Sequence, residues 1–294
     1  MAVTTTEQME QEAIDAQKGM AKAGTRVSLA IHHAVLAGGE TTRNLADFLH
    51  GTWLGHPLHP VLAGVTIGAW TMGGVFDGLA AVTGSPSMEQ SADQLMTAGV
   101  VCAVPTALTG LVDYSTFPEP SAKTATWHGL MNLANVGLYA WSVRERRRGN
   151  RGRGVLLSSV AFGMTCVSAW LGGHLVYKER VGVDNSDVFE GPENWTPVFD
   201  AALLADHRPE TIEVEGKQVL LYRDGDSIHA IGNKCAHAGG PLNEGMFHDG
   251  CVQCPWHDSV FHLADGSVVH GPATQPQPRF ETRLHDGQVE IRLT

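Results

Sequence analysis

The chain has 294 residues, of which 43% are hydrophobic, and its net charge is −11 at pH 7. This length allows about two domains, and the acidic balance argues against nucleic acid as the main partner. Charged residues nearly vanish from four stretches between residues 60 and 177, whereas the chain after residue 180 has the composition of a soluble, acidic domain.

Residues 1–55 predict polar and amphipathic helices. Residues 7–24 favour a polar helix, and the segments 26–36 and 43–54 are amphipathic but too short to span a bilayer. These two segments lie either along the bilayer surface or packed on the rest of the protein. Residues 1–25 are polar and lack the order of a cleavable signal peptide, so membrane insertion is expected to begin with the first spanning helix.

Residues 56–182 predict a membrane domain. Four apolar runs, at about 60–82, 92–112, 126–143 and 154–177, approach the ~20 residues that a bilayer core requires. Their Gly and Ala content suits close packing of helices inside a membrane. A buried soluble bundle is the alternative, but four such runs in succession favour an α-helical membrane bundle of four transmembrane helices.

The loop 144–153 indicates how this bundle is oriented. It contains six of the 20 Lys and Arg residues of the chain, and a short loop this basic is expected to stay in the cytoplasm. The loop joins the third and fourth helices, so both ends of the bundle would lie outside. We therefore expect a multi-pass protein of the cell membrane whose last domain is extracytoplasmic.

Several potential ligands share one end of this bundle. Helix parity places Asp113, at the end of the second helix, on the same membrane face as four histidines. Within the third helix, His128, Asn132 and Asn135 form one polar stripe, which should face the bundle interior. Two imidazoles could bind a b-type haem, or Asp113 could contribute to another metal centre; alternatively, these are helix-end residues that contact water and head groups. The four histidines are His56, His59, His128 and His174.

Residues 183–197 resemble a linker, and residues 198–294 predict an all-β domain. Short β-rich runs follow one another from Thr211–Val214 to Val289–Leu293. The pairs Asp224-Gly225 and Asp286-Gly287 separate such runs as hairpin turns would.

The last domain contains a metal-ligand motif. The chain reads Cys235-Ala-His237 and, after 16 residues, Cys254-Pro-Trp-His257. A common zinc finger groups Cys with Cys and His with His, whereas here each loop supplies one of each. This pattern suits a [2Fe–2S] cluster with two unlike irons, one bound by two thiolates and one by two imidazoles.

These motifs mark two resemblances. Residues 195–294 resemble a Rieske ferredoxin domain, which implies that the two Cys bind the buried iron and that the two His bind the outer iron and face an electron-transfer partner. The Gly-His56-Pro-Leu-His59-Pro signature, with Ile67-Gly-Ala-Trp70 and the ending Trp-Leu-Gly-Gly-His-Leu-Val-Tyr177, resembles a family of bacterial four-helix membrane proteins of unknown function, over about residues 40–183.

The chain departs from the respiratory Rieske branch in ways that affect the cluster potential. The disulfide of that branch cannot form, because Gly240 and Trp256 occupy the expected Cys positions, and Cys251 is predicted to be a free, half-buried thiol. Ser259 is kept as a hydrogen-bond donor to sulfur, but Phe261 replaces a Tyr donor. Such donors raise the potential, so a low to intermediate midpoint is expected.

These observations predict a membrane-anchored electron carrier more than a stand-alone enzyme. Its partners would be the lipid bilayer and a redox protein or a quinone, and an oligomer is compatible with the sequence. A Rieske oxygenase subunit would need a catalytic domain after the cluster, yet only about 37 residues follow His257. A redox sensor, in which the cluster state alters the bundle, is the other alternative.

Overall fold

A computed structural model describes residues 6–117 and 121–294, with side chains from residue 19 onward. The chain divides into two compact units. One contains the first helix together with Leu58–Val181, and the other contains Gly38–Pro57 together with Gly182–Thr294.

The first unit is helical. It contains α1 (Thr6–Ala37), α3 (Leu58–Thr83), α4 (Pro86–Tyr114), α5 (Ala122–Arg147) and α6 (Arg151–Tyr177), and the shorter α2 (Gly39–His50) belongs to the second unit. Apolar side chains such as Val61, Val101 and Leu156 remain exposed on the outer faces of these helices. Outward apolar faces on long helices are what a lipid environment requires.

Within the described residues, three helices are long and apolar enough to cross a membrane: α3, α4 and α6. The expected membrane class is therefore confirmed, but the predicted count of four spanning helices is corrected to three by length and composition. The helix α5 falls short because polar and charged side chains interrupt its apolar run. These include Lys123, His128, Asn132, Asn135 and Arg144.

The centre of the helical unit is built from equivalent positions of two helical hairpins, α3–α4 and α5–α6. Trp70 of α3 stacks on Tyr139 of α5, with ring centroids 3.9 Å apart. Seven residues further along both helices, Asp77 meets Arg146. In both contacts the two residues are 69 positions apart in the chain, so the two hairpins repeat one pattern and face each other.

A cluster of charged residues joins all four of these helices at one end, and we call it the ionic clasp. The guanidinium of Arg146 donates to both carboxylate oxygens of Asp77, at 2.8 and 2.5 Å, and to Asp93 at 2.9 Å. Arg151 at the start of α6 donates to the same two carboxylates. Asp77 thus bonds a neighbouring helix, as its position within an apolar run predicts.

The second unit is mainly β-structure and contains two antiparallel sheets. The larger has the strand order β1 (Thr196–Asp200), β10 (Gln288–Leu293), β9 (Arg279–His285), β4 (Ser227–Gly232), β3 (Lys217–Asp224), β2 (Glu210–Val214). The smaller has the order β5 (Met246–His248), β6 (Cys251–Gln253), β7 (Val260–His262), β8 (Val268–His270). The predicted all-β class of this region is confirmed.

The predicted hairpin turns lie between these strands. Asp224 pairs with Ser227 across the first turn, and His285 pairs with Gln288 across the second. Asp286 and Gly287 both have positive φ, of 47° and 76°, which is the backbone of a two-residue hairpin turn and the reason for the Asp-Gly sequence.

Candidate metal centre

Two loops of the β unit carry the predicted cluster ligands. The first follows β4 and contains Cys235 and His237, and the second joins β6 to β7 and contains Cys254 and His257. Both cysteines are buried in one apolar core, packed with Phe261 and its neighbours. Both histidines are partly exposed. The structure therefore brings together two thiols from the core and two imidazoles at its edge.

The two loops have the same backbone. In the first, Gly239 N–H donates to Cys235 O at 2.8 Å and Cys235 N–H donates to Gly240 O. In the second, Asp258 N–H donates to Cys254 O at 3.2 Å and Cys254 N–H donates to Ser259 O. Gly239 and Asp258 occupy equivalent positions with positive φ, of 81° and 62°, where glycine or a short polar residue is favoured.

This backbone directs N–H groups at both sulfurs. The sulfur of Cys235 accepts from His237 and Ala238, and that of Cys254 accepts from Trp256 and His257. Successive N–H groups that converge in this way form a concave anion site.

The two thiols also form a hydrogen bond with each other, which separates their pKa values. The bond that Cys235 donates, with the backbone donors of its own loop, lowers the pKa of Cys254 to about 7. The pKa of Cys235 is raised well above its ordinary value. Loss of its proton would break the hydrogen bond to Cys254 and would place a second negative charge beside the Cys254 thiolate. Thiolates are the form in which cysteine binds iron, and the donors in both loops stabilise thiolates.

The two imidazoles lie side by side at the outer edge of the loops. The ring centroids of His237 and His257 are 4.9 Å apart and the rings are perpendicular, at 86°. Within the described residues, no group of three or more Cys, His, Asp and Glu side chains could surround a single metal ion. A binuclear centre with two protein ligands on each iron does not need such a group, and two buried thiols with two outer imidazoles fit that donor set.

The positions that carry a disulfide in the respiratory branch face each other here without one. A Cβ atom on Gly240 would lie 3.0 Å from the ring of Trp256 and 3.0 Å from the sulfur of Cys254. The indole thus packs over the glycine, beside the thiol. Cys251 is buried rather than half-buried, and its sulfur lies 3.3 Å from His262 Nδ1; burial raises its pKa.

Ser259 and Phe261 lie where the sequence analysis expects an influence on the sulfur environment. Both side chains are fully buried. Ser259 Oγ accepts a hydrogen bond from Ala273 N–H at 3.0 Å, which leaves its O–H proton to be donated elsewhere. The phenyl ring of Phe261 packs among the apolar core residues and has no such proton to give.

The residues before the first strand also contact the cluster loops. Asn185, in the segment predicted as a linker, donates from its side chain to His237 O and from its backbone to Ala236 O, both at 2.8 Å. Asp187 forms an ion pair with Lys234 at 3.2 Å. This role of Asn185 was not predictable, because nothing in a polar segment specifies which backbone groups its side chains will contact.

In the helical unit, the structure brings together two of the predicted membrane histidines. The rings of His59 in α3 and His128 in α5 are 6.3 Å apart, and they too occupy positions 69 residues apart. His59 Nδ1 lies 2.9 Å from Thr106 O and His128 Nδ1 lies 2.9 Å from Ser168 O. Each imidazole is therefore anchored to its own hairpin in the same way.

Glycines make room for both imidazoles. Added Cβ atoms at Gly110 and Gly172 would lie 2.7 Å and 3.2 Å from the Cε1 atoms of His59 and His128, respectively. Asn132, in the predicted polar stripe, contacts His128 Nε2 at 3.0 Å. In both α3 and α5 a His is followed eleven residues later by an aromatic residue. This internal repeat is the sequence signal from which the arrangement could have been predicted.

Three further residues are predicted to belong to this membrane site: His56, Asp113 and His174. His174 Nε2 is 3.5 Å from Glu179 Oε1, and its ring lies beside Trp170. Asp113 lies in the last turn of α4, and its backbone carbonyl accepts from Thr116. His56 is exposed and belongs to the second unit.

Two family models match the chain. Residues 55–185 match the family described as "Predicted membrane protein (DUF2231)", and residues 194–281 match the Rieske [2Fe-2S] domain.

Three of the similar proteins each match about a third of the chain. Residues of the anthranilate 1,2-dioxygenase ferredoxin subunit of Burkholderia cepacia are 30% identical over 99 positions, which cover 34% of this chain and 92% of that protein. Apoptosis-inducing factor 3 of Mus musculus is 35% identical over 83 residues, 28% of this chain, but the chain spans only 14% of its length. The solved ferredoxin of carbazole 1,9a-dioxygenase from Nocardioides aromaticivorans is 28% identical, with a TM-score of 0.32, and covers 33% of this chain and 96% of its own.

Proposed function

The chain belongs to the Rieske [2Fe–2S] family through its C-terminal region and to the predicted membrane family through its helices, and from this we propose that it is a membrane-anchored electron carrier. A [2Fe–2S] cluster would supply one-electron chemistry. Its proposed ligands are Cys235, His237, Cys254 and His257. The observation that supports these ligands most is the shared backbone of the two loops, which directs N–H groups at both sulfurs.

The protein residues would set the properties of this centre. Backbone donors to the sulfurs and the hydroxyl of Ser259 favour the more negative, reduced state, whereas Phe261 contributes no hydrogen bond. The buried sulfurs exclude water on one side, and the partly exposed imidazoles give a partner access on the other. A protein redox partner would exchange electrons at that edge, because ferredoxins similar to this chain are named as components of dioxygenase systems. A quinone is the alternative partner.

His59 and His128 form a second proposed centre, for a b-type haem or another metal. The rings of His59 and His128 are 6.3 Å apart, so these two side chains would hold the group. An Nδ1–H group donated to a backbone carbonyl leaves Nε2 as the ligand atom. At His128 the amide of Asn132 contacts that Nε2 at 3.0 Å and would have to release it on metal binding. The proposal rests on the pair His59 and His128, because among the predicted membrane residues the described ring contact joins these two. His56, His174 and Asp113 are not part of it.

We propose further that the β domain is extracytoplasmic. The basic loop between α5 and α6 supports this orientation by charge bias. The orientation requires that α5, which forms a hairpin with α6, also crosses the bilayer despite its polar residues. Residues 1–55, 56–182, 183–197 and 198–294 remain the proposed domain boundaries, although the contacts of Gly38–Pro57 associate that segment with the last domain.

One experiment tests both centres. The full chain is purified in detergent, and iron, zinc and haem are assayed together with optical and EPR spectra. We expect the EPR signal of a Rieske centre on reduction, lost in His257→Ala and kept in the control His248→Ala, which changes an exposed histidine of β5. Bound zinc with little iron would refute the cluster proposal.

The same samples test the bundle. Haem absorbance should disappear in His59→Ala and His128→Ala and persist in His174→Ala. If wild-type protein contains no haem and no metal beyond the cluster, the membrane centre is refuted. A cluster that neither quinols nor membrane redox proteins reduce would favour the redox-sensor alternative.

A further inference from the structure

The helix α2 and the residues after it expose a compact group of apolar side chains, which we call the apolar patch. Its members are between 39% and 61% exposed: Leu45, Phe48, Trp53 and Leu54. Phe48 and Trp53 stack with ring centroids 5.8 Å apart, and Trp53 Nε1 donates to Phe48 O at 3.1 Å. The patch is therefore ordered by its own contacts, and the one polar group of its largest side chain is satisfied.

The opposite side of α2 is fixed to the β domain. Asp47 accepts hydrogen bonds from His270 Nδ1 at 2.7 Å and from Gly271 N–H at 2.8 Å. Arg43 donates to Asp258 O at 3.2 Å, and Ala46 and His50 are buried. These residues recur at i, i+3, i+4 and i+7, which is one face of a helix. The helix cannot turn its apolar patch inward without losing these bonds.

The chain itself limits how far the apolar patch can lie from a bilayer. The spanning helix α3 begins at Leu58, four residues after Leu54. Four residues reach at most about 14 Å when fully extended. The interfacial layer on each side of the hydrocarbon is about 5–8 Å thick, so this short connection lets the patch reach that layer and prevents it from lying far from the membrane.

We propose that the apolar patch lies at the boundary between lipid head groups and acyl chains, with α2 parallel to the bilayer surface. Trp and Phe are favoured at this depth because their rings are amphipathic or apolar, and the other face of such a helix stays polar. In this protein the polar face of α2 also bonds with the β domain, at Asp258 beside the proposed ligand His257 and at Gly271. The helix would thus be a two-sided support, with lipid on one side and the β domain on the other.

Quenching by brominated lipids tests this placement in the full chain. The protein is reconstituted into phosphatidylcholine vesicles with bromine near the head-group end of the acyl chains, near their middle, or absent. In each lipid, the tryptophan fluorescence of Trp53→Phe is subtracted from that of the wild type. The difference is the fluorescence of Trp53 alone. Any effect of the cluster on emission is common to the three lipids and cancels.

We expect the shallow bromines to reduce the Trp53 contribution roughly twofold and the deep bromines to reduce it less. The matched control is Trp195→Phe, which removes an indole contacted by Arg283 and Arg292 of the β domain. The emission of Trp195 should be equal in the three lipids. Equal Trp53 emission in all three lipids would overturn the proposal. So would quenching that is strongest with deep bromines, or crosslinking of the patch to a second copy.

Discussion

The ionic clasp gives the sharpest test of how the bundle is held together. Asp77→Asn removes one negative charge and nearly preserves the shape of the side chain. The side chains of Arg146 and Asp77 are 1% and 7% exposed, so the guanidinium cannot turn to water. Breaking a buried pair by removing one partner costs about 3–5 kcal/mol, because the remaining charge stays buried. For a chain of this size, that corresponds to a fall in Tm of roughly 6–20 °C.

Thermal unfolding of the helical signal in detergent, followed by circular dichroism, measures this effect. The matched control is Asp93→Asn, which loses a bond to the same arginine. Because the Asp93 side chain is 41% exposed, water replaces part of what it loses, and we expect a cost below about 1 kcal/mol.

A double variant separates the charge effect from simple loss of packing. Asp77→Asn with Arg146→Gln removes both members of the pair and leaves the bonds between Arg151 and Asp93 in place. It should be more stable than Asp77→Asn alone. A single variant within about 2 °C of wild type would refute the reasoning, because such a shift is under about 1 kcal/mol; so would a double variant that is less stable than the single one.

Three further predictions concern the cluster and its sidedness. The midpoint potential should lie in the lower half of the range from about −150 to +300 mV for Rieske centres, and redox titration monitored by EPR measures it; a value near the top would contradict the assigned roles of the missing disulfide and of Phe261. Ser259→Ala should lower the potential further because a hydrogen bond to sulfur is lost, whereas Ser267→Ala, in the turn before β8, should leave it unchanged. Protease added to intact spheroplasts should remove the β domain. If a twin-arginine signal directs the export of this domain, replacing Arg147 and Arg148 by Lys, which keeps the charge, should leave the domain protected. Protection of the domain in wild-type cells would show that the orientation is reversed.

The sequence predicted the β domain well because its information is local. The spacing of Cys235, His237, Cys254 and His257 indicates two similar loops, and the Asp-Gly pairs indicate hairpin turns with positive φ. Neither depends on distant residues. The equivalence of Gly239 and Asp258 was not predictable from composition, because two different residue types adopt the same positive φ at these positions.

The helical region was harder to predict because its contacts join distant positions. Hydropathy identifies α3, α4 and α6 but treats the polar residues of α5 only as interruptions. Two polar residues of α5 contact the other hairpin: His128 lies beside His59, and Arg146 bonds with Asp77. The amphipathic pattern of α2 left lipid and protein as alternative partners, and it contained no signal that Asp47 would bond with the distant His270.

The repeated hairpins have a consequence for how the bundle came to hold opposite charges. If the two hairpins were separate, identical chains, the contact between equivalent positions would set Asp against Asp or Arg against Arg, and like charges would repel each other in a medium of low dielectric constant. Within one chain, each copy can differ: Asp77 stands in the first hairpin where Arg146 stands in the second, and Trp70 stands where Tyr139 does. In a symmetric dimer this contact would join two like charges, whereas in the covalently linked chain it joins opposite charges that attract each other.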